Sequence, residues 1–403
     1  SKIVGRIMIQ INNKENCCGC RACTEICFYH AINMEIDEEG FYYPKVDSTK
    51  CIDCGLCDSV CPIMNGGLKK LDKNFPEGYV CWAKDKILRF NSASGGIFGV
   101  LATLVINNNG VVYGAAFDEK MKLRVVKASN IEELQPILKS KYLQCNNEMA
   151  FKNIKKDLQE GKNVLYMSSP CNVKALKNYL RKKYDNLLTM DFICHGVPSQ
   201  LLFDLNKSYL ERKYNGVMLS YDFRDKLSKK PSPQKNRITF LRDKNTIEVS
   251  GLYLQDVFHC LFETFNILRP SCYVCRFAKP QRESDITVGD FHNINRYMPN
   301  INRFDGVSMM LVNTDLGNKF INATRNELFL KEFEVNLLIS ENECLAKPTR
   351  RKNVRNIIFK ELNDFGFEYI AQKYVLTTSN KLKILYYNLP NWLRRILKQI
   401  VLR

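Results

Sequence analysis

Near the start of the chain, cysteine recurs twice at one spacing, Cys17-x2-Cys20-x2-Cys23-x3-Cys27 and Cys51-x2-Cys54-x2-Cys57-x3-Cys61-Pro62. Runs of this kind hold cubane iron–sulfur clusters, and the fourth cysteine of each run ligates the cluster of the other. One cluster is then expected on Cys17, Cys20, Cys23 and Cys61, and the other on Cys51, Cys54, Cys57 and Cys27. Zinc is the alternative for so soft a donor set. A zinc site, however, needs four ligands and no third C-x2-C step. The crossing of ligands ties the two runs into one module with similar halves. Such a module moves electrons, which leaves open where they go.

At 403 residues the chain is too long for that module alone and has room for two or three domains. Its 45% apolar content suits a protein with a sizeable core. Cluster thiolates need a reducing compartment, so the 17 cysteines argue for cluster chemistry rather than disulfides. The first sixteen residues show neither a signal-peptide apolar stretch nor a twin arginine. No window reaches the roughly 18 apolar residues of a spanning helix. A cytoplasmic protein is expected.

The net charge of +18 is unevenly placed. Residues 1–68 hold six Lys/Arg against nine Asp/Glu, a net −3, whereas residues 347–403 hold thirteen against three, a net +10. A basic end of this kind suits an anionic membrane or nucleic acid, or reflects a generally basic proteome. Within it, Leu393, Ile396, Leu397, Ile400 and Val401 form an apolar stripe beside Arg394, Arg395 and Lys398, after Trp392. A helix so patterned can lie in a membrane interface or pack on its own domain. Peripheral contact at the inner membrane face is therefore entertained, and nucleic acid is not expected as a partner.

The segments divide into a two-cluster ferredoxin-like domain at 8–68, a mixed α/β domain at 78–346 and a basic helical tail at 347–403. Gly66-Gly67-Leu68-Lys69-Lys70 reads as a linker, and Cys18 as a surplus, small buried residue. In the middle segment, Ser92-Ala93-Ser94-Gly95-Gly96 opens an apolar helix from Ile97 to about Val105, followed by a strand at Val111–Phe117. Two strand–loop–helix units follow, with strands at Asn163–Met167 and Leu187–Ile193 and helices at Val173–Tyr184 and Gln200–Tyr214. Such units imply neighbouring parallel strands. An aromatic helix is expected at Tyr253–Leu268 and a strand at Asp285–Gly289.

Cys171 and Cys194 each lie just beyond the carboxyl end of a strand, the edge at which open α/β sheets bind ligands. With Cys272-x2-Cys275 they make a set of four suited to a third cubane cluster. Zinc on the same residues, with His195 in reach, and four ordinary buried thiols are the alternatives. Ser94-Gly95-Gly96 at a helix start suits a phosphate or pyrophosphate, since free N–H groups and the dipole face it; it also serves simply as a cap. His195 is a structural histidine or an acid/base group beside the strand-end cysteine. Asp222-Phe223-Arg224-Asp225-Lys226 is a solvated turn or a contact for an anionic ligand.

Seven motifs occur in order: Ser94-Gly95-Gly96, Ser140-Lys141-Tyr142, Ser169-Pro170-Cys171, Cys194-His195-Gly196-Val197-Pro198-Ser199, Phe223-Arg224-Asp225-Lys226, Cys272-x2-Cys275 and Asp285-Ile286-Thr287-Val288-Gly289-Asp290-Phe291. On these residues the chain resembles the coenzyme F420 hydrogenase/dehydrogenase beta-subunit family from about 78 to about 320. The resemblance implies a flavoprotein, with FAD more than FMN, that passes electrons between iron–sulfur clusters and a small two-electron acceptor. In methanogens that acceptor is the deazaflavin; relatives stand among ferredoxin-dependent reductases and surface-polysaccharide genes. It also implies a cluster in the flavin domain and flavin contacts at Ser94, Gly95, Gly96, Lys141 and Tyr142. Members often continue Gly-Asp-Phe with Trp-Gly, where this chain has Phe291-His292-Asn293. That departure puts deazaflavin specificity in doubt. The reading is an oxidoreductase fed by ferredoxin or another low-potential donor. A non-catalytic electron-transfer subunit, and a membrane-surface or nucleic-acid module with structural clusters, are the alternatives.

Overall fold

The computed structural model describes residues 9, 11–65, 76–226, 234–390, 392–394 and 396–397. The expected linker at 66–70 lies outside them, as do Arg395, Lys398, Ile400 and Val401 of the C-terminal stripe. Among the described residues the chain forms two compact units. One runs up to Val197 and resumes from Arg269 to Arg350; the other holds Pro198–Leu268 and the residues from Arg351 on. These units cut across the linear division into 8–68, 78–346 and 347–403, because residues 198–268 leave the middle segment and join the basic end.

The first unit begins with two short halves. The helices Ala22–Ile26 and Leu56–Val60 flank an antiparallel hairpin, β1 (Ile32–Ile36) with β2 (Tyr42–Val46). The strands that follow are β3 (Glu77–Ala83), β4 (Val111–Phe117), β5 (Leu123–Ala128), β6 (Val164–Ser168) and β7 (Leu187–Phe192). In the second unit, β8 (Val217–Asp222), β9 (Lys235–Arg242) and β10 (Asn245–Leu252) make a three-stranded antiparallel sheet. The chain then returns for β11 (Ile286–Asp290), β12 (Ser308–Val312) and β13 (Leu328–Glu332).

Eight strands of the first unit form one mixed sheet in the order β13-β3-β12-β11-β7-β6-β4-β5. Its centre is parallel, with β4 on β6, β6 on β7 and β7 on β11. This agrees with the parallel strand–loop–helix units read from the sequence. Helices cover both faces of such strands, so β6 and β7 are near-continuous apolar runs rather than alternating ones. On one face Leu101 and Val105 of the helix Ile97–Asn107 pack with Leu165, Leu188 and Met310. On the other, Tyr166, Val173, Leu176 and Leu180 share a core with Ala22, Cys23, Ile26 and Val60 of the N-terminal module. The module is therefore seated on the sheet's covering helix by common burial.

Two expected helices shift. The one placed at Val173–Tyr184 runs Pro170–Leu180, because Pro170 is preset for the first helical position and Arg181 enters the left-handed region at φ 61°. Cys171 consequently sits inside the first turn rather than before it. The long aromatic helix at Tyr253–Leu268 is broken into a 3-10 turn, Tyr253–Gln255, and a helix, Val257–Glu263. Asp256 is extended and caps the second piece by accepting from the His259 N–H at 2.8 Å. Phe265, at φ 58°, ends it with its N–H on the Phe262 carbonyl. In this second unit Phe203, Tyr221, Phe223 and Phe258 form an aromatic core.

Candidate metal centres

The two halves of the N-terminal module repeat in backbone as well as in cysteine spacing. The second cysteine of each run is followed by a left-handed residue, Arg21 at φ 67° or Gly55 at φ 74°. A five-residue helix then carries the third cysteine, Cys23 or Cys57, and the fourth, Cys27 or Cys61, leaves it in extended conformation. The left-handed residue turns the chain between the second and third cysteines of each run, although among the described residues no three thiols stand close enough together to form a ready-made metal site.

Cys27, Cys51, Cys54 and Cys57 line one small cavity with Tyr29, Ala31, Ile32, Val46, Ile52 and Leu56. The first run thus lends its fourth cysteine to the second, as the crossed ligation requires. Ala31 donates its N–H to Cys27 Sγ at 3.4 Å, the kind of bond that tunes a cluster's potential. Cys54 is exposed, and the lining residues Ile52 and Tyr29 are 57% and 55% accessible, with Phe28, next in sequence to Cys27 and Tyr29, 80% accessible.

The complementary set is mostly buried. Cys17, Cys20 and Cys23 lie inside, and the half-buried Cys61 is near enough to Cys17 and Cys23 to influence them. Burial and then the neighbouring Cys17, Cys61 and Cys57 push the Cys23 thiol well above its ordinary range. Burial likewise raises Cys61, with Cys17 adding to it. Thiols crowded in a dry site resist becoming thiolates together, unless a polynuclear cation shares their charge. Their donor chemistry therefore fits the two cubane clusters expected here.

Cys171, Cys194, Cys272 and Cys275 come from three separate segments and lie near enough to influence one another electrostatically. Cys171 lies in the helix that follows β6, Cys194 just past β7, Cys272 in the 3-10 turn Pro270–Val274, and Cys275 at its end. Ser168 at the end of β6 pairs with Asp191 near the end of β7, so both loops leave the same sheet edge. Burial raises the Cys194 thiol, and Cys272, Cys171 and Cys275 raise it further. Gly196 donates its N–H to Cys194 Sγ at 3.4 Å, and Ser169 Oγ lies 3.2 Å from Cys171 Sγ. His195 is half-buried in this loop, its carbonyl accepting from Thr349 Oγ1 at 2.6 Å.

Sequence reasoning missed Cys18. It is more than a small filler, because its thiol interacts with both Cys171 and Cys20 and so stands between the buried set and the third one. Its adjacency to Cys17 was the available signal. Cys344 is a further buried thiol close to Cys275.

The Ser94-Gly95-Gly96 turn lies at the same sheet edge, beside Cys81 of β3 and Ser308 of β12. Its two glycine amides are not free as expected. Gly95 donates to Ser308 Oγ at 2.9 Å and Gly96 to the Ala93 carbonyl at 3.0 Å. A Cβ on Gly95 would stand 2.7 Å from the Cys81 carbonyl oxygen, so glycine is required by close packing. Any anion here would instead meet the first turn of the helix Ile97–Asn107, ahead of its first internal bond from Val100 to Gly96. Lys141 and Tyr142 follow Leu138, whose carbonyl accepts from Ala93 at 2.9 Å, so the two motifs are neighbours. Lys141 Nζ bonds the Pro136 carbonyl. In the second unit, Asp225 is no solvated turn residue. Its carboxylate accepts from Arg237 Nη2 and Ser250 Oγ, both at 3.0 Å.

Fold and thiol sets together define an iron–sulfur redox protein, with a two-cluster module seated on a mixed α/β sheet. Residues 16–64 match the 4Fe-4S dicluster domain. Residues 161–336 match the family defined by the C-terminal part of the coenzyme F420 hydrogenase/dehydrogenase beta subunit. Over that segment the chain is similar to the beta-subunit family. It is also similar to a chain of the F420-reducing NiFe hydrogenase complex from Methanosarcina barkeri. The identity is 14%, over 74% of this chain and 97% of that one, and the TM-score is 0.45. No curated protein matches the chain.

Proposed function

We propose that this chain is an iron–sulfur flavoprotein oxidoreductase, fed by a ferredoxin-type donor and serving a two-electron acceptor. The observation that carries the reading is the series of three thiol sets within one compact unit. It runs from the open cavity of Cys27, Cys51, Cys54 and Cys57, through the buried Cys17, Cys20, Cys23 and Cys61, to Cys171, Cys194, Cys272 and Cys275 at the sheet edge. When bound, clusters at these sets would supply one-electron steps, and a flavin would pair them into a two-electron transfer. The chain's own part is to hold the thiols, bury most of the second set and leave the first open to a donor.

Ser94, Gly95, Gly96, Lys141 and Tyr142 are the residues we assign to the flavin, supported by their adjacency at the sheet edge. The glycines would act there by allowing close backbone approach, since their amides are engaged within the chain. His195, next to Cys194, is the acid/base group we assign to the acceptor site, with its backbone held by Thr349. Among the described residues no helix is long and apolar enough to cross a membrane.

The family is defined by one member of a multi-protein enzyme, which favours a second reading: an electron-transfer subunit wired to a separate enzyme. One preparation tests both. After anaerobic purification, about eight irons per chain are expected from the two-cluster module and about twelve with the third site, together with flavin absorbance. Fewer than about four irons and no flavin would sink the proposal. Clusters with flavin, but no turnover of any small acceptor without a partner protein, would decide for the second reading.

A further inference from the structure

Arg269 is fully buried, and three of its guanidinium N–H groups are placed. Nε donates to the Cys17 carbonyl at 2.7 Å, Nη1 to Gln144 Oε1 at 3.0 Å and Nη2 to the Tyr42 carbonyl at 2.9 Å. All three acceptors are neutral. The ring centroids of Tyr43 and Phe41 lie 4.3 and 5.3 Å from its central carbon. Among the described residues no carboxylate forms an ion pair with it. A desolvated charge left without a counter-charge is costly, and cation–π contact offsets only part of that cost.

The ionisable groups around it are three thiols and one phenol. Burial works against the charge on Arg269, while Cys17, Tyr43, Cys18 and Cys272 support it. Its carbonyl accepts from the Cys272 N–H at 2.9 Å, so the same residue starts the turn that carries Cys272 and Cys275. Gly19, at φ 70°, makes room, since a Cβ there would come within 2.9 Å of Nη1. One rigid cation thus touches the loop of the buried N-terminal set and the loop of the sheet-edge set.

We propose that Arg269 is the positioning residue that sets the potentials of both sites, a fixed cation that stabilises an added electron on either one. The inference rests on the reading above that both sites hold clusters. Reduction of a cluster adds one negative charge, and a desolvated guanidinium at a cluster's edge favours the reduced form. Sharing one cation keeps the two sites close in potential, as transfer between them requires. The open cavity set, whose lining holds no arginine, serves as the internal reference.

The test is a redox titration of the full-length, anaerobically purified chain, followed by electron paramagnetic resonance. Arg269→Gln removes the charge and should lower the reduced-to-oxidised ratio of the two inner sites about tenfold at fixed potential, a shift of about 59 mV for a one-electron couple. Gln144→Glu covers the case in which that variant fails to fold. It leaves Arg269 in place, sets a carboxylate against it and should shift the same two sites in the same direction. Gln144→Leu loses the hydrogen bond but keeps the charge, and should leave the potentials unmoved. A full iron content in Gln144→Glu with unshifted potentials overturns the inference. Equal shifts in Gln144→Leu also overturn it, by showing a merely structural role. Wild-type protein without iron overturns the cluster reading itself, a failure distinguishable by metal analysis alone.

Discussion

The two crossed cysteine sets of the N-terminal module share one spacing and one backbone pattern, yet they live in different surroundings. The set with Cys54 opens to solvent beside the exposed Tyr29 and Ile52, with the exposed Phe28 next to Tyr29 in sequence. The set with Cys20 and Cys23 is part of the core that includes Val173, Leu176 and Leu180. On the function proposed above, equal chemistry in unequal dielectric would give unequal roles: an outer site that a donor can approach, and an inner one that hands on to the sheet edge. The contrast teaches that cysteine spacing specifies a ligand set, whereas packing specifies its place in a relay.

The largest test of that contrast is loss of a ligand. Cys54→Ala should remove about four irons per chain and leave the unit folded, since its side chain supports no core. Cys23→Ala should remove as much iron and also destabilise the unit, because Cys23 is buried against the covering helix. Iron analysis with thermal unfolding reads both, and equal unfolding midpoints for the two variants would break the comparison. Next in size, Phe28→Asp with Ile52→Asp should slow reduction by ferredoxin about tenfold at unchanged iron content, by spoiling an apolar rim. Stopped-flow reduction measures it, and an unchanged rate would place the entrance elsewhere.

Smaller effects probe the inner side alone. Asp157 lies in the helix Ala150–Gln159, where it accepts from Tyr113 OH and from Lys127 and Lys162 at 2.8 Å each. Burial raises its pKa, but the bonds to Lys127, Lys162 and Tyr113 prevail and hold it below the ordinary carboxylate value. A depressed pKa stabilises the folded state above the unfolded value of about 3.9, and that contribution is lost as pH falls through the folded value. Asp157→Asn should therefore cost about 2 kcal/mol at neutral pH in urea unfolding, with the gap narrowing below about pH 4. A gap independent of pH would show that the charge is irrelevant there. Gly95→Ala should cost about 1–2 kcal/mol through overpacking against Cys81, with the iron content unchanged.

Much of the site was legible locally. The match of residues 16–64 to a 4Fe-4S dicluster domain was foreshadowed by the spacing of the two cysteine runs. The strand β4 and the helix Gln200–Tyr214 were placed to the residue, since apolar runs bounded by Asn-Gly or capped by Ser199 leave little choice. The break at Asp256 and Phe265 was not legible, because an aromatic run reads as helix until tertiary packing makes an extended cap worth more than one more turn. Nor was the use of the glycine amides at 95 and 96. The partner of the first, Ser308, lies more than two hundred residues away along the chain.

The sequence by itself determined that the chain opens with a two-run cysteine module and which family the sheet domain resembles, because both are matters of short-range spacing. Tertiary structure alone decided that one set is open and the other buried. It alone placed Cys18 between Cys20 and Cys171, and brought Arg269 from a distant loop to the carbonyl of Cys17. The physical reason is that desolvation and buried charge depend on what covers a residue, and what covers these residues comes from far along the chain.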